Sequence, residues 1–192
     1  MKAAIIAAGE GSRLAAAVPG LPKPLIPVAG RPLAHWVVDG LAAAGAKAVT
    51  VLTNSRGGAV APDLAHAFPG IAFDAVTADT ASSFESFRLV SLRLAETAEH
   101  FLISTTDALI PPAEVARFWR ECRDTSPEIG LALTPHIDDE KPLWADLAKD
   151  GRVTALGAAA RDKSAVTCGL YYMTRAAAKR LPAPDSHRRL RD

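Results

Sequence analysis

Short apolar runs alternate with stretches of helical periodicity along nearly the whole chain, and this alternation restricts the fold more than any other feature. Apolar strands separated by helices build a mainly parallel sheet covered on both faces. The first run is AAIIAA at 3–8. After a proline-rich stretch, RPLAHWVVDGLAAAGAK predicts a helix with Leu33, Trp36, Val37, Leu41 and Ala44 on one face. Pro32 near its start and Gly45 near its end agree with helix boundaries. AVTVLTN then reads as a strand, 61–67 as a short helix and IAFDAV as a further strand. A second long helix is predicted from Ser82, whose spacing to Glu85 is that of a capping box ahead of Phe84, Phe87, Val90 and Leu94. Strand HFLISTT, a helix opened by Pro111 and Pro112, strand IGLALT, a hairpin across KDGR and strand AVTCGLYYM complete the order. No repeat, low-complexity tract or linker interrupts it, so the 192 residues predict one domain over 1–192 with an α/β, three-layer architecture.

The apolar share of 49% is enough to fill the core such a sandwich needs. Acidic and basic residues nearly cancel, at net charge +1, which argues against a nucleic-acid or membrane surface as partner. The basic tail His187, Arg188, Arg189 and Arg191 is a local exception and reads as a solvated end. Cys122 and Cys168 lie too far apart for a CxxC pair and read as buried, reduced thiols, which predicts a cytoplasmic setting. No run reaches the ~18 apolar residues of a membrane span. The chain opens directly on a strand rather than a signal peptide.

The chemistry points to the stretch after the first strand, AAGEGSRLAAAVPGLPKPLIPVAGRP, at the end where open parallel sheets take ligands. Gly9 and Gly11 carry no Cβ, so their N–H groups can approach an anion closely. A dinucleotide fingerprint would need a third glycine where Leu14 stands, and a Walker loop would need a GK[ST] that is absent. Pro19, Pro22, Pro24 and Pro27 rule out a long helix between 15 and 28, so a helix dipole does not supply the positive field. Side chains must do so instead. Arg13 offers a planar fork for phosphate oxygens, and Lys23 a compact charge held by flanking prolines. Taken singly, the glycines also suit a tight turn and Lys23 a solvated loop.

AAGEGSRL followed after seven residues by PKPLIPVAGRPL resembles the N-terminal signature of the nucleotidyltransferases that make NDP-sugars and related CDP- or UDP-activated compounds. The signature covers about thirty residues, and the element order of the whole chain is compatible with the family. The resemblance implies a Rossmann-like, GT-A-like nucleotidyltransferase fold. It also implies a reaction in which a small phosphorylated sugar or alcohol attacks the α-phosphate of an NTP and releases pyrophosphate. Ala7, Ala8, Gly9, Glu10, Gly11, Ser12 and Arg13 would then surround the nucleotide, and Lys23 would hold the α-phosphate. Mg2+ is the implied cofactor, with Asp107, at the end of HFLISTT, as its ligand. The alternative role of Asp107 is an Asx turn leading into the Pro111 helix. The family's second metal aspartate near the C-terminus has no counterpart in a matching context, Asp185 and Asp192 being the late candidates, so a short or truncated member is expected.

By the same resemblance, Thr80, Ser82 and Ser83 in ADTASSFESF occupy the place where the family reads nucleobase or ribose, although Ser82 also suits a helix cap. Sugar-type members carry a Glu-Lys-Pro ahead of the last strand. Here LGAAARDKS stands in its place, while Glu140, Lys141 and Pro142 come earlier and read as a solvated turn beside Asp138 and Asp139. Lys163, Thr167 and Gly169 lie nearest the expected acceptor pocket. Asp146 reads as an outward residue of a strand, and His35 as a helix-boundary residue. Two rival readings remain. One is a MobA-like enzyme joining GTP to a molybdopterin phosphate; the other is a noncatalytic nucleotide-binding regulatory domain.

Overall fold

A computed structural model describes residues 1–9, 18, 20–136, 142–163 and 165–183. Glu10, Gly11, Ser12 and Arg13 lie outside the described residues, as do Asp138 to Lys141, Asp185, Asp192 and the basic tail.

The described residues form ten strands and five α-helices, in the expected order apart from two short strands before the first helix and a short final helix that the sequence did not suggest. They are β1 (Lys2–Ala7), β2 (Pro27–Val28), β3 (Arg31–Pro32), α1 (Leu33–Ala43), β4 (Ala48–Thr53), α2 (Val60–Ala67), β5 (Ala72–Thr77), α3 (Ser83–Ala95), β6 (His100–Thr105), α4 (Pro112–Thr125), β7 (Ile129–Thr134), β8 (Trp144–Leu147), β9 (Val153–Leu156), β10 (Ala165–Thr174) and α5 (Arg175–Lys179). The main sheet runs β5-β4-β1-β6-β10-β8-β9, with β7 also paired to β10. Its β5-β4-β1-β6 half is parallel, and β10, β7, β8 and β9 extend it antiparallel. The hairpin expected at KDGR joins β8 to β9, closed by the Gly151 N–H donating to the Ala148 carbonyl at 3.0 Å.

Strand alternation sends side chains to two cores. On one face Ile5, Val49, Val51, Leu102 and Tyr172 meet Val38 and Leu41 of α1, Leu64 of α2 and Val115 of α4. On the other, Ala4, Leu52, Phe101, Ile103 and Met173 meet Phe87, Val90 and Leu94 of α3 and Ala177 and Ala178 of α5. Two-sided burial is why the parallel strands read as continuous apolar runs rather than alternating ones. α1 and α4 approach so closely that a Cβ on Gly40 would press into Val115. Trp36, predicted for the core face of α1, is only half-buried; its indole donates to the Val28 carbonyl at 3.0 Å and Arg31 stacks over its ring. The helix turns Ala34 and Val38 inward in its place, because its stripe is set by the sheet beneath it. His35 is the boundary residue expected, its Nε2 2.6 Å from Asp63 Oδ2. Among the described residues no helix is long and apolar enough to cross a membrane.

Ser82 caps α3: its Oγ accepts the Glu85 N–H at 3.1 Å, while Glu85 Oε2 accepts the Ala81 N–H at 2.7 Å. The reciprocal pair thus forms one residue upstream of the usual capping box, at Ala81 rather than at Ser82 itself. Ser82→Ala is expected to cost about 1 kcal/mol of stability, read as a lower urea midpoint at unchanged slope; an unmoved midpoint would show that the cap contributes nothing.

Candidate functional site

All four parallel strands end on the same side of the sheet, and the loops leaving them form a cleft of about 1040 Å3. Side-chain-to-backbone hydrogen bonds tie these loops to one another. The Thr106 hydroxyl, after β6, donates to the Ile6 carbonyl of β1 at 2.8 Å. Asn54, after β4, donates through Nδ2 to the Ala8 carbonyl at 3.1 Å and accepts the Arg56 N–H through Oδ1 at 3.1 Å. Asp79, after β5, accepts the Ser55 N–H at 2.9 Å. Loops held this way are preorganised, and a bound group meets donors that are already oriented.

Lys23 reaches the cleft from a 3-10 turn, Lys23–Leu25, between Pro22 and Pro24. The Leu25 N–H donates to the Pro22 carbonyl at 2.9 Å, and Pro24 and Ile26 are buried, so the turn is anchored on both sides of the lysine. Its ammonium donates to Asp107 Oδ2 at 2.6 Å. The two residues are 84 apart in sequence. β1 and β6 lie side by side in parallel, with Ile6 opposite Thr105, so the chain leaving β1 and the aspartate just beyond β6 emerge together. Burial pushes the Asp107 carboxyl up, but the charge and hydrogen bond of Lys23, with help from Thr105 and the aspartate's own amide, carry it below the ordinary carboxylate value. It is therefore ionised at neutral pH. Its side chain is 59% exposed against 19% for Lys23, so the carboxylate opens to the cleft while the lysine is held from behind.

Of the residues singled out in the sequence, Ala7, Ala8, Gly9, Lys23, Thr80, Ser82, Ser83, Asp107, Thr167 and Gly169 all line this cleft. Lys163 does not; it sits just before the start of β10 with φ of 48°. Thr80 shares a hydrogen bond of 2.5 Å with Ser86, so its hydroxyl is already engaged within α3's first turn. Gly169, at φ 83°, stands at an irregularity of β10 where a Cβ would overlap the Thr105 hydroxyl. Any other residue there would be strained at that φ and would force the Thr105 side chain or the strand to shift. Asn54, Ser55, Arg56, Asp79 and Thr106 also line the cleft and were not singled out. Their signal was positional: each is a polar residue just past an apolar strand of the parallel half.

Two further expectations need correction. Cys168 is half-buried rather than core and lines the cleft, its Sγ donating to the Ala132 carbonyl at 3.3 Å; burial raises its pKa, leaving a protonated thiol. Asp146, expected to face solvent, is 9% exposed. β8 is only four residues long, and its partners place the carboxylate under the segment leading into β10.

Among the described residues no group of three or more His, Cys, Asp or Glu side chains is arranged to hold a metal. Asp107 is ionised and open to the cleft, and carboxylate oxygens are the donors a hard divalent cation takes.

A family model described as MobA-like NTP transferase domain matches residues 3–179. A UTP–glucose-1-phosphate uridylyltransferase of Klebsiella pneumoniae is 35% identical over 60 residues, 31% of this chain and 20% of the relative, so the chain spans only a fifth of it. The fold is similar to that of the inositol-1-phosphate CTP transferase from T. maritima, at 18% identity and TM-score 0.75, covering 93% of this chain and 72% of the other. A Bacillus anthracis structure described as a glucose-1-phosphate thymidylyltransferase, in complex with sucrose, matches at 19% identity and TM-score 0.82, covering 96% and 77%. A UDP-glucose pyrophosphorylase complexed with UDP-glucose matches at 13% and 0.78, covering 100% and 84%. At such identities the three structures speak for the fold alone.

Proposed function

The chain belongs to the MobA-like NTP transferase family, and from that premise we propose that it transfers a nucleoside monophosphate from an NTP to a small phosphorylated sugar or alcohol. The observation that carries this reading is the Lys23–Asp107 contact at 2.6 Å, set in a cleft that the first residues of the glycine loop also line. A cation and an anion held together at the cleft match a magnesium–triphosphate ligand, which brings both charges.

In this reading an ionised phosphate oxygen of the acceptor attacks the α-phosphorus. The new phosphorus–oxygen bond forms as the bond to the bridging oxygen breaks, and that electron pair leaves with pyrophosphate. An acceptor that arrives ionised needs no base, and little remains for the protein beyond positioning and charge stabilisation. Lys23 takes the charge that grows on the α-phosphate. Asp107 would hold Mg2+, which would supply positive charge against the triphosphate and the departing pyrophosphate. Gly9 offers bare backbone to the phosphates, and Gly11 and Arg13, next in the sequence, are proposed to bind them too. Ala7, Ala8 and the Thr80–Ser83 segment face the nucleoside, and Thr167 and Gly169 face the acceptor.

The test is a pyrophosphate-release screen crossing four NTPs with sugar 1-phosphates, inositol phosphate, phosphocholine and amino-sugar phosphates in Mg2+, with GTP plus molybdopterin as a further arm. One NTP–acceptor pair is expected to give sustained release that depends on the acceptor. Calorimetric NTP binding without release for any acceptor would instead support a regulatory nucleotide-binding domain.

A further inference from the structure

Asp146 is the one charged side chain among the described residues that is buried. A carboxylate withdrawn from water has to recover its hydrogen bonds inside the protein. Asp146 takes them from the main chain of a neighbouring loop: Oδ2 accepts the Arg161 N–H at 2.7 Å and Oδ1 the Asp162 N–H at 3.0 Å. The Thr154 hydroxyl of β9 donates to its carbonyl at 3.2 Å. The next residue, Lys163, holds φ of 48°, a left-handed conformation that a lysine keeps only where its surroundings impose it.

What lies immediately beyond gives these bonds their meaning. β10 begins at Ala165 and pairs with β8 at Ala165–Ala145 and Val166–Trp144, next to Asp146 itself. The Thr167 N–H donates to the Leu143 carbonyl at 3.1 Å, and Leu143, Thr167, Cys168 and Gly169 form one wall of the cleft. The strand that carries Asp146 therefore holds both the loop before β10 and the wall-forming part of β10.

We propose that Asp146 is a positioning residue for the acceptor-facing wall: its carboxylate pins residues 161 and 162 onto β8 and so sets where Thr167, Cys168 and Gly169 stand. The assignment of this wall to the acceptor rests on the function proposed above. A buried carboxylate serving stability alone would lower the melting temperature and affect both substrates alike. One that places this wall affects the acceptor selectively, because the NTP contacts leave from β1, β4, β5 and β6, none of which Asp146 touches through a hydrogen bond.

Asp146→Asn keeps the shape but turns one acceptor oxygen into an NH2 group facing an N–H. In this variant hydrogen exchange across 157–168 is expected to accelerate, while 48–53 and 100–105 keep their wild-type rates. With the substrate pair found by the screen, kcat/KM for the acceptor is expected to fall by up to about 10²-fold, the scale of a slightly misplaced positioning group, through a raised acceptor KM with the NTP KM unchanged. An equal change in both KM values, or unaltered exchange at 157–168, overturns the proposal. Should the wild type turn over no acceptor, the function reading fails separately. The positioning role is then read from alkylation of Cys168, expected to be faster in Asp146→Asn, and an equal rate overturns it. If the variant does not fold, exchange in the wild type decides: the Arg161 and Asp162 amides are expected to be protected well beyond those of Ala158 and Ala159, and equal rates overturn the proposal.

Discussion

Lys23→Ala is expected to lower turnover by on the order of 10²–10³-fold, the loss seen when one preorganised donor to a developing charge is removed, and to leave the protein folded. The lysine stands in a loop between prolines and contributes its charge at the cleft rather than apolar area to a core. Losing it leaves Asp107 without its partner, yet the carboxylate is more than half exposed and water can solvate it, so the stability cost is small. Lys23→Arg is expected to recover little of the activity, because a planar fork replaces a point charge in a turn with both neighbours locked. Pyrophosphate release beside a circular-dichroism melt reads both quantities, and wild-type turnover in Lys23→Ala would overturn the site assignment.

Asp107→Asn carries the second large effect, and its sign depends on the metal. With Mg2+ present, turnover is expected to fall by a similar order, since the neutral amide is a poor ligand for a hard cation. Without metal, NTP binding is expected to tighten, because in the wild type the triphosphate has to take Lys23 away from Asp107. Calorimetry with and without Mg2+ separates the two, and weaker metal-free binding in the variant would count against a shared phosphate role for Lys23. The pair also predicts a pH dependence. The folded carboxyl titrates below its ordinary value of 3.8, so the stability gained from the pair is present above that value and is lost as pH falls through the lower folded value. The stability difference between wild type and Asp107→Asn is therefore expected to stay level above 3.8, to shrink as pH falls below it, and to vanish only once pH passes the lower folded value. A difference that disappears above 3.8 would mean the contact does not form in solution.

Much of the parallel half was legible because β1, β4 and β6 are buried on both faces and the helices carry their own stop signals. AVTVLTN and HFLISTT became β4 and β6 within a residue, and the Pro111–Pro112 start and the Ser82 cap held. The cleft was legible only where loops carry unusual residues, such as a glycine pair or a lysine between prolines. Asn54, Asp79 and Thr106 escaped notice because polar residues after strands are ordinary, and their value lies in the cross-strand bonds to Ala8, Ser55 and Ile6. Trp36 was misplaced because a periodicity defines a stripe only to within about one residue's turn of the helix.

By itself the sequence determined the element order, the two-sided burial of β1, β4 and β6, and the placing of the chemistry after β1. These follow from local rules, since side-chain period and backbone restriction act within a few residues. Only the tertiary structure decided that Lys23 meets Asp107 across 84 residues, that Gly169 must stay bare beside Thr105, and that Asp146 faces inward. Alternation along a four-residue strand yields two equivalent faces, and which one is covered depends on strands and loops that arrive from elsewhere in the chain.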